Sequence, residues 1–310
     1  MALNSTIRLQ LKNIVESTLS SPPLASVGLR LRVRSRLNLA YHNVVDRPAK
    51  SSTGDTSLHL PISGFIAQLD AIQEARLVVR RVDEPRDPNG ATAEVAVTFD
   101  DACAGALSMA VPLLAERGIP ATIFVAPGLL GGSAPWWDRL AVASQGAVPP
   151  AVRDIALGQL KGRHEVVMAA AALRGWPTLE PDRSLRIATE REIETALGAH
   201  PKLTVGAHSW YHPNLTSLTE AELDDELARP LAWLRQRWPE RIIPWLAYPY
   251  GLESPTVRRA ASGAGYEGGL LVRGGWYREA PDPFGTPRLN VGSGLSINGF
   301  KARLNGFISG

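Results

Sequence analysis

Two adjacent carboxylates, Asp100 and Asp101, end the apolar stretch AVTFDD. Like charges side by side at the end of a buried strand are costly unless something pairs with them. One Asp can cap the helix that follows and favour its positive end. The second asks for a metal ion or a catalytic role. Downstream, His208 and His212 stand four apart in GAHSWYHP. If that segment is helical, both imidazoles lie on one face, the usual way to present two nitrogens to one ion. With an Asp from a strand end they form a two-His, one-carboxylate set with open positions, which leaves room for a reactive water. The stretch AYPYG, residues 247–251, follows another apolar strand, and its Pro and Gly impose a tight turn near the same rim.

Such a constellation needs a scaffold that gathers strand ends. LNLAYHNVV, RLVVRRV, EVAVTFDD and PATIFVAP read as strands, with helices at ISGFIAQLDAIQEA and GALSMAVPLLAERGI, the latter closed by Gly118. Strand–helix alternation predicts a parallel α/β architecture. Residues 132–200 break the rhythm with helical stretches and no clear strand, which predicts an inserted helical cap. The alternation resumes with KLTVGAHSWYHPNL and continues through IIPWLAYPYG to PRLNV. Residues 3–19 have apolar residues near helical spacing, which predicts an amphipathic first helix ended by SPPLASVG. Such a helix packs on its own domain or on a sister subunit more often than on a membrane, so a homo-oligomer through it is one expectation. Residues 1–25 are read as this helix and arm, and residues 26–310 as the main domain. Arg30, Arg32, Arg34 and Arg36 alternate with other residues, so period two places four guanidinium groups on one side of a strand. That pattern is a solvated strand face or a strip for an anionic group.

The 310 residues allow one large α/β domain or two small ones. A net charge of +3 without an Arg/Lys block or nucleic-acid motif gives no reason to expect nucleic-acid binding. A single cysteine, Cys103, excludes an intrachain disulfide and suits a reducing compartment. No signal peptide or run of membrane-spanning length is legible, so the cytoplasm is the expected location.

TFDDACAGALSMAVPLLAERGIPATIFV, GAHSWYHPNL, LAYPYG and PRLNV, in this order, resemble the polysaccharide deacetylases with a NodB-homology domain, carbohydrate esterase family 4. The resemblance covers most of residues 37–130 and 200–308. It implies a distorted (β/α) barrel with its site at the C-terminal strand ends. It also implies Asp100 as general base, with Asp101, His208 and His212 holding one divalent metal ion, commonly zinc. The backbone N–H of Tyr250 would help bind the oxyanion. The sequence departs from the family twice. Ala247 stands where the family has an Arg that orients the base, and PRLNV lacks the histidine acid of the last motif. A circularly permuted subgroup supplies that histidine from a YH strand near the N-terminus. LAYHNVV resembles it, which makes His42 the acid, and Arg288 is the candidate for the missing Arg.

The implied activity is hydrolysis of an N-acyl group, most simply acetyl, from an amino sugar or a sugar conjugate. Formyl or ester hydrolysis on the same scaffold, or carbohydrate binding without catalysis, are the alternatives. Trp136 and Trp137 are read as sugar-stacking residues or as cap core, and Cys103 as a small packed residue. His59, His164 and His200 fall outside every motif.

Overall fold

A computed structural model describes residues 5–46, 54–87, 89–278 and 282–308. Its centre is a parallel sheet. The strands are β1 (Arg36–Tyr41), β2 (Asn43–Val45), β3 (His59–Pro61), β4 (Val78–Val79), β5 (Glu94–Phe99), β6 (Ala121–Val125), β7 (Leu203–Ala207), β8 (Ile242–Ala247), β9 (Gly268–Leu270) and β10 (Leu289–Asn290). The helices are α1 (Ser5–Leu19), α2 (Pro22–Leu31), α3 (Ile62–Glu74), α4 (Val111–Glu116), α5 (Trp136–Ala143), α6 (Pro150–Gly158), α7 (His164–Arg174), α8 (Glu190–Ala199), α9 (Glu220–Arg237), α10 (Pro255–Gly263) and α11 (Ile297–Leu304). The main sheet runs β10-β1-β5-β6-β7-β8-β9, with β4 beside the start of β5. Thr286 bridges to Leu270 of β9, and three residues later Leu289 pairs with Leu39 of β1. The segment Thr286–Asn290 therefore joins the two edges of the sheet and closes a distorted (β/α) barrel, as the sequence resemblance implies.

Both faces of such a sheet are covered, so its central strands are buried along their whole length rather than on alternate residues. All six residues of β1 and of β5 are buried. Leu37, Leu39, Val95, Val97, Phe99, Ile123, Val205 and Leu246 pack in one core with the surrounding helices. Each large side chain buried this way is worth roughly 1.5–3 kcal/mol. Asp100, His208 and Tyr250 follow the carboxyl ends of β5, β7 and β8, where loops are free to vary while the barrel stays fixed.

The insertion makes its own core. Trp136, Trp137, Leu140, Ala156, Val167 and Ala171 of α5–α7, with Val148 from the loop before α6, cluster apart from the barrel core. The cap is shorter than the sequence rhythm predicts. Ile193, Ala196 and Leu197 of α8 pack in the barrel core, so α8 is a barrel helix and not part of the cap.

Two N-terminal expectations are corrected. SPPLASVG does not end the helical region: Pro22 and Pro23 open α2, because a proline in the first turn gives up only an N–H that lacks an intrahelical acceptor anyway. The arm therefore runs to Leu31 rather than to residue 25. The four arginines form no strip. Arg30 lies in α2, Arg32 follows its end, Arg34 has a left-handed φ of 64°, and only Arg36 is on a strand. Arg36 is buried against Glu94, with Nε 2.9 Å from Oε2.

Candidate metal and catalytic site

Asp100 and Asp101 leave β5 and answer different partners. Neither caps a helix, since helical turns begin only at Ala104. Asp101 and Ala102 both have positive φ, 67° and 52°, a conformation that persists only where surrounding structure fixes it. Residues 186–188 do so: the Ala104 N–H donates to the Arg186 carbonyl, and the Ala188 N–H to that of Ala102. Cys103, between them, is buried and free, a packed residue as expected.

The turn aims Asp101 at the two histidines. Its Oδ1 lies 3.3 Å from His208 Nε2 and 3.2 Å from His212 Nε2, and the two Nε2 atoms are 3.1 Å apart. The histidines are not on a helix, contrary to the reading of their spacing. The loop after β7 turns twice through left-handed backbone, at Ser209 (φ 60°) and His212 (φ 55°), and this folds the two rings together. Ser209 Oγ accepts the His212 N–H at 3.0 Å. The Glu226 carboxylate of α9 accepts the N–H groups of Trp210 and Tyr211 at 2.9 and 2.8 Å.

A divalent ion fits this triangle by the chemistry of its donors. His208 Nδ1–H donates to the Ala247 carbonyl at 2.7 Å, which leaves Nε2 with its lone pair toward Asp101 and His212. Three buried acceptor atoms aimed at one point call for a cation between them. Burial alone would raise the Asp101 carboxyl, but its two histidine neighbours outweigh that and hold it well below the usual carboxylate range.

Asp100 has a different partner. Arg288, fully buried, grips it with both Nη atoms, each 2.7 Å from a carboxylate oxygen. The guanidinium is itself fixed by the Leu271 carbonyl and Thr98 Oγ1. Burial pushes the Asp100 carboxyl up, but the Arg288 charge, with His208 behind it, brings it below its ordinary value. Arg288 reaches Asp100 because the closing segment Thr286–Asn290 lies beside β1 and β1 beside β5. Ala247 supplies no guanidinium; its carbonyl orients His208 instead.

His42, Asp100, Asp101, His208, His212 and Tyr250 all line one cavity of about 170 Å³, with Trp137 and Arg153 of the cap on its wall. That is below the usual size of a site enclosing a drug-sized ligand, and suits one small group of a larger molecule. Tyr250 has a positive φ of 58° in the turn after β8. Among the described residues no backbone acceptor takes its N–H. Its ring packs edge-on against His212 at 4.5 Å, and its hydroxyl donates to the Gly162 carbonyl at 3.0 Å.

Trp136 is fully enclosed: its Nε1–H is shared between the Gly162 carbonyl and the Tyr250 hydroxyl, so it is cap core and not a sugar platform. Trp137 packs at 4.8 Å from the His212 ring. His59 is buried beside the site, its Nε2 2.9 Å from Asp138 of α5, and Asp138 also accepts the Asp55 N–H. His164 and His200 lie outside the cavity; His200 Nε2 donates to the Ile119 carbonyl.

Sequence reasoning missed Glu226, His59, Asp138 and Arg153. Glu226 had a legible signal, a carboxylate on the apolar stripe of α9 between Leu223 and Leu227. Arg153 and the Asp138–His59 pair had none, because only the folded cap brings them to the barrel.

Comparison with known proteins follows this geometry. Residues 182–269 match the polysaccharide deacetylase family model, a stretch that begins before α8 and holds both histidines. No curated protein matches the chain. The fold is similar to that of the Streptococcus pyogenes deacetylase PplD, solved in complex with acetate (TM-score 0.61, 16% identity, covering 87% of this chain and 98% of that one). It is also similar to IcaB from Ammonifex degensii (TM-score 0.56, 19% identity, 87% and 97% covered). A polysaccharide deacetylase from Bacillus cereus gives a TM-score of 0.60 at 14% identity, with 87% of this chain and 69% of that one covered. The resemblance to the polysaccharide deacetylases and their barrel fold, read from the sequence, is borne out.

Proposed function

We propose that the protein is a metal-dependent carbohydrate deacetylase that hydrolyses an N-acyl group, most simply acetyl, on an amino sugar or sugar conjugate. The observation that carries this reading is the division of labour between neighbouring carboxylates: Asp101 converges with two histidines, while Asp100 is held ionised by Arg288. A binding protein needs neither arrangement. Asp101, His208 and His212 would hold one divalent ion, zinc being the first candidate for such a ligand set. That ion would supply Lewis acidity, polarising the acyl carbonyl and making water a better nucleophile at neutral pH.

The residues of the chain do the rest. Asp100 takes a proton from the water that attacks the acyl carbon. The N–H of Tyr250, which no backbone acceptor among the described residues takes, would donate to the tetrahedral oxyanion, and one such donor is worth roughly 10²–10³ in rate. His42 gives its proton to the amine nitrogen as the C–N bond breaks, leaving a free amine and a carboxylate. An acid at the exit of β1, the strand nearest the N-terminus, would correspond to the circularly permuted arrangement.

The test is release of carboxylate and free amine from a panel of N-acetyl and N-formyl amino sugars by protein loaded with zinc. Asp100→Asn should retain about one ion per chain and lose at least ~10²-fold in turnover. Asp101→Asn, His208→Ala and His212→Ala should each lose metal, read by elemental analysis. Full metal with no release from any acyl sugar would overturn the proposal in favour of a binding protein.

A further inference from the structure

The N-terminal helices carry an apolar surface that the barrel does not use. From Arg8 to Val15 every residue of α1 is exposed, and from Arg8 onward burial begins only at Glu16 in its last turn. There Glu16 is buried and accepts the hydroxyl of Ser296, the cap of α11, while Asn305 Nδ2 donates to the Leu19 carbonyl. Leu11, Ile14 and Val15 lie within one arc of the helix, and with Val27 and Leu31 of α2 they are between 49% and 65% exposed. Large aliphatic side chains exposed in this way on two consecutive helices mark an interaction site.

Charge identifies what they meet. Of the 33 cations and 30 carboxylates in the chain, residues 1–35 hold five cations (Arg8, Lys12, Arg30, Arg32, Arg34) and one carboxylate, Glu16. The positive charge of the protein is thus concentrated in this segment, and its single carboxylate faces inward, 3.9 Å from Lys12. Two copies meeting through this surface would bring cations together with no exposed carboxylate from the same segment to pair with them. A basic amphipathic surface with exposed Leu, Ile and Val matches the requirements of an anionic lipid bilayer, where the apolar side chains enter the headgroup boundary and the cations meet phosphates. Among the described residues no helix is long and apolar enough to cross a membrane, so the contact would be peripheral. We propose that α1 and α2 dock the protein on an anionic membrane surface. This reading does not depend on the reaction catalysed.

Flotation with vesicles tests it. The full chain should float with phosphatidylglycerol–phosphatidylcholine vesicles, float far less with pure phosphatidylcholine, and be released by high salt. Arg8→Glu with Arg30→Glu should weaken binding at least about tenfold, since each basic residue near such a surface is worth roughly 1 kcal/mol. Leu11→Ser with Ile14→Ser should also weaken it. Both pairs are exposed and far from the cavity, so thermal unfolding and hydrolysis of a soluble acyl sugar should match the parent. Absence of flotation, equal binding to neutral vesicles, or binding indifferent to both pairs would overturn the proposal. So would a dimer in sedimentation that Leu11→Ser with Ile14→Ser dissociates, which would assign the surface to a second copy.

Discussion

At the scale of single residues, the pair Asp100–Arg288 decides whether a base is available. A buried carboxylate without its guanidinium would be driven toward the neutral acid, which cannot accept a proton. Arg288→Gln should therefore shift the acid limb of the kcat/KM profile upward by about 1–3 pH units, the usual worth of a close opposite charge. Arg288→Lys should restore part of the shift, and metal content should stay unchanged in both. An unmoved limb would separate Arg288 from the base. The pair also bears on stability: a depressed folded pKa means that its contribution is present above the unfolded pKa and lost as pH falls through the folded one. His42 has its own signature. His42→Ala should cut hydrolysis of an N-acetyl sugar by roughly 10²–10⁴ while sparing an activated aryl ester, whose leaving group needs little protonation. Equal losses on both substrates would remove it from proton transfer.

At the scale of elements, the loop after β7 shows why residue types were easier to read than geometry. Asp101, His208 and His212 were legible because few other roles need those types at strand ends. Their arrangement was not, since a spacing of four suggests a helix and the chain uses two left-handed residues instead. What holds that loop is Glu226, far along the sequence, whose burial raises its carboxyl while the two N–H donors only partly offset the effect. Glu226→Ala should leave the N–H groups of Trp210 and Tyr211 without their acceptor, at about 1–3 kcal/mol each. Zinc affinity should fall about 10–100-fold, as for other groups that orient metal ligands. Glu226→Gln keeps an oxygen acceptor and should recover most of it. A loss of stability with unchanged zinc affinity would make Glu226 a packing residue only. The arginine strip failed for a related reason: alternation looks like a strand until the prolines before it start a helix.

At the scale of the whole molecule, the barrel and the cap are two cores that meet at the site. The barrel could be read from its strands, because buried parallel strands announce themselves as apolar runs. The boundary of the cap could not, since α8 is as helical as α5–α7 and only packing assigns it to the barrel. The two cores meet where Tyr250 joins the cluster of Trp136 and Trp137, and again where Asp138 of α5 pairs with His59 of β3. A separate core predicts separate opening. Trp136→Ala removes a fully buried ring, a change that costs roughly 3–5 kcal/mol, and its effect should fall on the cap first. Hydrogen exchange should accelerate in α5–α7 while amides of β5 and β6 keep their protection. Because the Tyr250 hydroxyl is tied to Trp136 and Gly162, the N–H proposed to bind the oxyanion on the same residue should lose its position. Turnover should then fall with metal content intact. Exchange rising equally in the barrel strands would mean that the two cores unfold as one, and that the cap is a wall of the barrel rather than a unit placed over its mouth.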